Sequence, residues 1–289
     1  MKRSIGTCLF TVMLAGLLSL TAAAMPPQTG NATTYTYTLD AEGGWVRTQD
    51  AYLTGEVLFM NGPLSRPEDI TERDGMLYVA DTGAGRVLRY DLSTGETFEM
   101  GVGLLEQPTG VFVTQEGNVY IADPQKAAVV MLSPNGEFIR EYGRPQTNTF
   151  GEDSIYKPSK VVVDRSGILS IVSTGAYDGI VQLSASGEFL GYFGYNSVPM
   201  SFLELLQDKF FTQAQKKRLF NKLPLSFYNL AIDGQGILHT VTQGTDSGAV
   251  KVHNVTGVNL LPESIPGEKN FADIAIGSDG QILAVTETG

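Results

Sequence analysis

Five positions combine residue types that could do chemistry with a spacing that repeats. Asp69, Gly110, Lys160, Asn229 and Asp273 each stand two residues after a proline or phenylalanine: Pro67, Pro108, Pro158, Phe227 and Phe271. If one architecture repeats, these side chains converge as two carboxylates, an amide and an ammonium. Such a group can bind a polar ligand. Asp69, Asn229 and Asp273 are also oxygen donors of the kind calcium takes at about 2.3–2.6 Å. The same set equally makes a solvated channel mouth, and both readings stay open.

Other chemistry is sparse. His239 and His253 lie 14 residues apart, which is no zinc spacing, and His239 reads as a packing position. No Gly-x-Ser-x-Gly elbow supports a Ser/His/Asp triad. DTGAG at 81–85 and GTDSG at 244–248 are glycine-rich but open no helix, so neither cradles phosphate. Asp81 and Asp123 end strand-like runs, where a carboxylate closes the next turn on backbone N–H groups. A ligand role there is the alternative. No catalytic residue is singled out.

The elements that would position these residues repeat. RPEDI leads to DGMLYVAD at 74–81, QPTGV to EGNVYIAD at 116–123, and KPSKV to SGILSIVS at 166–173. FYNL leads to QGILHTVT at 235–242, and FADI to DGQILAVT at 279–286. The distance from anchor to glycine is eight residues in the first unit and nine in the other four. Each unit alternates apolar residues, turns at Gly75, Gly117, Gly167, Gly236 or Gly280, and continues as a β-branched strand. Further turns at Gly95, Gly136, Gly187 and Gly257 separate a third strand from a fourth. Four antiparallel strands per period of 40–50 residues predict the blades of an all-β propeller.

The pattern Pro-x-x-Val…Gly-x-x-Tyr-Val-Ala-Asp resembles the NHL repeat over residues 67–289. The first two units carry it most fully; the later three end their second strand in Ser173, Thr242 and Thr286. The resemblance implies a ring of five to seven blades. About four and a half are present here, and six are expected in the full-length protein. The last unit stops after two strands, and 52–60 reads as an outermost closing strand. The expectation is therefore a chain truncated at its C-terminus. A five-bladed ring completed by N-terminal strands, with 35–39 among them, is the alternative.

Residues 1–24 read as a signal peptide: Lys2 and Arg3, an uncharged apolar run, then Ala22 and Ala24 ahead of Pro26 and Pro27. Residues 25–66 form an N-terminal segment. The expected location is extracytoplasmic, secreted or at the cell envelope, and membrane attachment would come only from an uncleaved signal or a missing C-terminal segment. Loss of the signal removes the one cysteine, Cys8. The whole chain carries 20 basic and 31 acidic residues; without Lys2 and Arg3 its net charge falls from −11 to −13. Such a surface repels nucleic acid.

The interval between turn glycines is 42, 50, 69 and 44 residues, so one junction carries an insertion, at 199–225. Ser201 with Glu204 and Thr212 with Gln215 match capping boxes. The pattern predicts two short helices, the second basic through Lys216, Lys217 and Arg218. These cations are a candidate docking site for a protein or an acidic envelope polymer.

The leading reading is a non-enzymatic binding or scaffold propeller, serving a cell-envelope or sugar-uptake system. The resemblance also implies an alternative, a metal-dependent lactonase or lyase of the gluconolactonase-like six-bladed type. Such an enzyme holds a divalent cation in its channel. The leading reading expects no cofactor; calcium or another divalent cation belongs to the alternative.

Overall fold

The computed structural model describes residues 36–40, 44–48, 58, 64–151, 154–176, 178–194, 225–245, 248–261, 270–277 and 279–287. The expected signal peptide, the helices of the insertion with Lys216, Lys217 and Arg218, and nearly all of the proposed closing strand lie outside these residues.

The chain folds as an all-β propeller, and its one helical element among the described residues is a 3₁₀ turn at Thr82–Ala84. Before the blades, β1 (Thr36–Leu39) pairs with β2 (Trp45–Thr48) in a sheet of their own, separate from the fifth blade. Blade 1 comprises β3 (Pro67–Arg73), β4 (Met76–Asp81), β5 (Arg86–Asp91) and β6 (Thr97–Met100). Blade 2 comprises β7 (Gly110–Val113), β8 (Val119–Asp123), β9 (Ala128–Leu132) and β10 (Phe138–Tyr142). Blade 3 comprises β11 (Pro158–Val163), β12 (Leu169–Ser173), β13 (Ile180–Leu183) and β14 (Phe189–Phe193). Blade 4 shows β15 (Asn229–Ile232), β16 (Leu238–Val241) and β17 (Val250–His253), and blade 5 shows β18 (Phe271–Ile276) and β19 (Ile282–Thr286). Within each blade consecutive strands pair antiparallel.

Burial explains the sequence pattern. Every residue of β8 and of β12 is buried, because a second strand is covered by a neighbouring blade on each face. Fourth strands face outward, and four of the five residues of β10 are exposed. One apolar cluster fills each interface between successive blades. Tyr78, Val87 and Met100 of blade 1 meet Val111, Val113 and Val130 of blade 2, for example. The inner strands pack in the order β3, β7, β11, β15, β18. Ile70 departs from its equivalents: Val111, Val161, Leu230 and Ile274 are buried against a neighbour, whereas Ile70 is 51% exposed. Its face of blade 1 is the one turned away from blade 2.

Buried polar groups fasten each of the first three blades to the loop that enters it. Asp123 is fully buried, and its Oδ2 accepts the N–H groups of Glu106 and Gln107 at 2.7 and 3.0 Å. Its Oδ1 accepts those of Gln125 and Lys126, both at 3.1 Å. Asp81 accepts Ser65 N–H at 2.5 Å and pairs with Arg86 at 3.0 Å. Ser173 performs the same task with a hydroxyl, accepting Lys157 N–H at 2.8 Å and donating to Ile155 O at 3.1 Å. The repeat tolerates Asp or Ser here because either can satisfy the loop amides. Both histidines are buried: His239 Nε2 meets Asp233 Oδ2 at 3.1 Å, while His253 bridges Thr240 and Gly257 between the rings of Phe193 and Phe227.

Replacing Asp123 by Ala orphans four N–H groups around a buried site. The expected loss is about 3 kcal/mol or more of unfolding free energy. Urea denaturation measures it, and Asp123→Ser, copying blade 3, should recover part of it.

Candidate functional site

The inner strands run the same way along the central axis, so their starts ring one end of the channel and their ends ring the other. Three of them are bulged at the residue between the anchor and the polar position: β3 between Pro67 and Asp69, β11 between Pro158 and Lys160, β18 between Phe271 and Asp273. A bulge re-aims the side chain that follows it. These three strands supply the charged members of the predicted set.

The four side chains do come together, in two linked groups. Lys160 Nζ lies 2.8 Å from Asp69 Oδ1 and donates to Glu68 O at 3.0 Å, joining blade 3 to blade 1. Both side chains are only 12% exposed. Asp69 Oδ2 accepts Val111 N–H of blade 2 at 2.7 Å. Asn229 Nδ2 donates to Asp273 Oδ1 at 2.7 Å, and that oxygen also accepts Ile274 N–H at 2.7 Å. Asn229 Oδ1 is turned to Leu230 N–H, again at 2.7 Å. Blade 2 contributes Gly110 because nothing larger fits: a Cβ there would stand 2.5 Å from Ser159 O and 2.9 Å from Lys160 Cα.

Electrostatics ties the groups together. Burial pushes the Asp69 carboxyl above the usual carboxylate range; Lys160 and Val111 N–H pull it back, and Asp273 pushes it further up. Burial likewise raises Asp273 against the pull of Lys160 and Ile274 N–H. Desolvation therefore outweighs pairing for both acids.

This donor set does not suit the divalent cation that the enzyme alternative requires. The Lys160 ammonium already brings positive charge to Asp69 and Asp273. Asn229 presents its NH₂ to Asp273 and its oxygen to the backbone. Among the described residues no group of three or more His, Cys, Asp and Glu side chains could hold a metal ion. Asp81 and Asp123 have the structural role described above.

The opposite end of the channel opens into a cleft of about 750 Å³. It is lined by the tips of the first hairpin of all five blades, with Arg73, Glu116, Arg165, Gln235 and Gly277 among them. Sequence reasoning missed it, since each tip taken alone looks like turn chemistry.

Comparisons with known proteins agree on the architecture. A family model described as the SMP-30/Gluconolactonase/LRE-like region matches residues 15–151, which include the first two blades. A search of curated protein sequences finds no significant match. Among solved structures, a streptogramin B lyase is similar at 18% identity and a TM-score of 0.52, over 80% of this chain and 68% of that one. A candidate gluconolactonase is similar at 17% and 0.53, over 88% and 78%. Kuenenia stuttgartiensis hydrazine synthase is similar at 16% and 0.54, over 81% and 59%. At such identities the likeness is one of fold.

The raised acids have a consequence for stability. The folded state holds their protons more tightly than the unfolded chain does. Both groups therefore favour folding below the usual carboxylate range, and that contribution is lost as pH rises through their raised values. Asp273→Asn cannot ionise and still accepts from Asn229 and Ile274. Its melting temperature should match wild type near about pH 4 and pull ahead as pH rises toward about 7. Scanning calorimetry across that range is the check.

Proposed function

We propose that the chain is an exported, NHL-type propeller acting outside the cytoplasm as a non-enzymatic binding scaffold, in a cell-envelope or sugar-uptake role. The observation that carries this reading is the Lys160 network. The polar groups at the start of the inner strands are spent on one another and on backbone amides of neighbouring blades. They hold the ring together, and among the described residues at this end of the channel they leave no nucleophile or general base without a partner. A rigid ring with variable tips is a platform for recognition. Export is supported by Lys2 and Arg3 ahead of an apolar run ending in Ala22 and Ala24. The four-stranded units and their glycine turns support the NHL assignment.

A second reading, a metal-dependent lactonase or lyase, is favoured by the family match over residues 15–151 and by the names of two structural neighbours. It requires an oxygen-rich cation site, and Lys160 and the Asn229 amide stand where such donors would be needed.

Calorimetric titration of the full chain with calcium and with zinc separates the two. The expected result is no binding heat, no shift in melting temperature, and no hydrolysis of an aldonolactone above the blank. Micromolar binding would raise stability by about 2.7 kcal/mol at a hundredfold excess over Kd. That outcome, together with metal-dependent lactone opening, would replace the scaffold reading with the enzyme one.

A further inference from the structure

The cleft at the hairpin-tip end lies apart from the Lys160 network, and its charges are nearly balanced. Three carboxylates line it, Glu116, Asp164 and Asp233, against two guanidiniums, Arg73 and Arg165. The excess is negative, and Glu72, Asp74 and Asp279 add exposed carboxylates at the tips of blades 1 and 5. An anion is therefore repelled. A cation gains little in its place, because two guanidiniums stand in the same wall and the acids are already engaged. Asp164 Oδ1 accepts Ser166 and Ile168 N–H at 2.8 and 2.9 Å. Asp233 Oδ1 accepts Gln235 and Ile237 N–H at 2.9 Å, and its Oδ2 meets His239. Glu116 is held below the usual carboxylate range by its own backbone N–H and the Thr114 hydroxyl.

What the wall offers instead is hydrogen bonding of both senses. Gln115 and Gln235 are exposed on the tips of blades 2 and 4, and each carries an amide that donates and accepts. Asn118 and the Ser166 hydroxyl add to them. Arg73 donates from one Nη to Val113 O at 3.3 Å, but its Nε is buried with no hydrogen-bond partner. Between these polar groups the lining is apolar, with the rings of Phe112 and Tyr120 and the aliphatic side chains of Val163 and Ile232.

We infer that this cleft is a binding site for a short neutral saccharide. A sugar hydroxyl donates and accepts at once, so it can give its proton to a carboxylate or amide oxygen and take one from a guanidinium or amide N–H. A neutral ligand thereby uses both signs of charge in the wall as hydrogen-bond partners and is repelled by neither. Hydrogen bonds to charged groups are also the stronger ones. The aromatic and aliphatic walls suit the C–H faces of sugar rings. About 750 Å³ lies within the range of small-molecule sites, about 300–1,000 Å³. Five blades contribute to one mouth, so the ligand is read by side chains from separate repeats. The inference rests on the binding-scaffold reading and supplies its ligand.

The test is calorimetric titration of the full chain with trimers of equal length. Maltotriose and cellotriose are neutral, trigalacturonic acid is anionic and the glucosamine trimer is cationic. The expected result is one-to-one binding of at least one neutral trimer, and at least tenfold weaker binding of both charged ones. Neutral binding should hold to within about twofold as salt is raised, since no net charge is paired. Gln115→Ala and Gln235→Ala, at exposed turns, should each cost about fivefold in affinity for the neutral trimer and leave the melting temperature unchanged. Binding of either charged trimer as tight as the neutral one would overturn the neutral assignment. Binding that ignores both glutamine changes would overturn the location. No heat with either neutral trimer at millimolar concentration would overturn the site while leaving the scaffold reading in place, since that falls only to metal-dependent lactone chemistry.

Discussion

Lys160 reaches from the third blade to the first across the channel, and the geometry around it depends on that reach. Its ammonium lies 2.8 Å from Asp69 and 3.0 Å from Glu68 O. Two features of the chain make the reach feasible. Gly110 lets the backbone of β11 press against β7, and bulges in β3 and β11 aim the two side chains inward. Asp69 in turn accepts Val111 N–H, so three blades meet at one carboxylate. A buried pair of this kind is not a strong source of net stability, because desolvation offsets most of its attraction. Its value lies in registry: removing one partner leaves the other charged and dry, which penalises any arrangement of blades that separates them.

The blades were legible because their signals are local. Anchor, turn glycine and apolar strand each follow from short-range geometry, and the five second strands fall where the spacing put them. The role of Asp81 and Asp123 was legible for the same reason: a strand-ending carboxylate has few options besides nearby amides. Convergence of Asp69, Lys160, Asn229 and Asp273 was legible as a consequence of repetition. What they do together was not. The direction of the Asn229 amide, the bulges and the approach at Gly110 are set between blades, and no single repeat encodes them. The exposure of Ile70 was not legible for the same reason, since burial of an inner-strand residue depends on which neighbour covers that face.

The two ends of the channel are built differently. At one, polar side chains are consumed in holding blades together. At the other, the hairpin tips line an open cleft with carboxylate, guanidinium and amide groups together. The two ends are joined mechanically, because inner strands of four to seven residues carry the hairpin tips directly. Structural neighbours with quite different names share the ring, so chemistry has to be sought in the residues of each mouth rather than in the architecture.

A double-mutant cycle on Lys160→Met and Asp69→Asn tests the central claim most directly, with unfolding free energies from urea denaturation of the full chain. The account predicts that each single change destabilises the protein and that the pair together cost less than their sum, with a coupling of about 1–3 kcal/mol. Effects that add to within about 0.5 kcal/mol would show that the two charges do not depend on one another. Lys160 would then not be the internal cation of the channel.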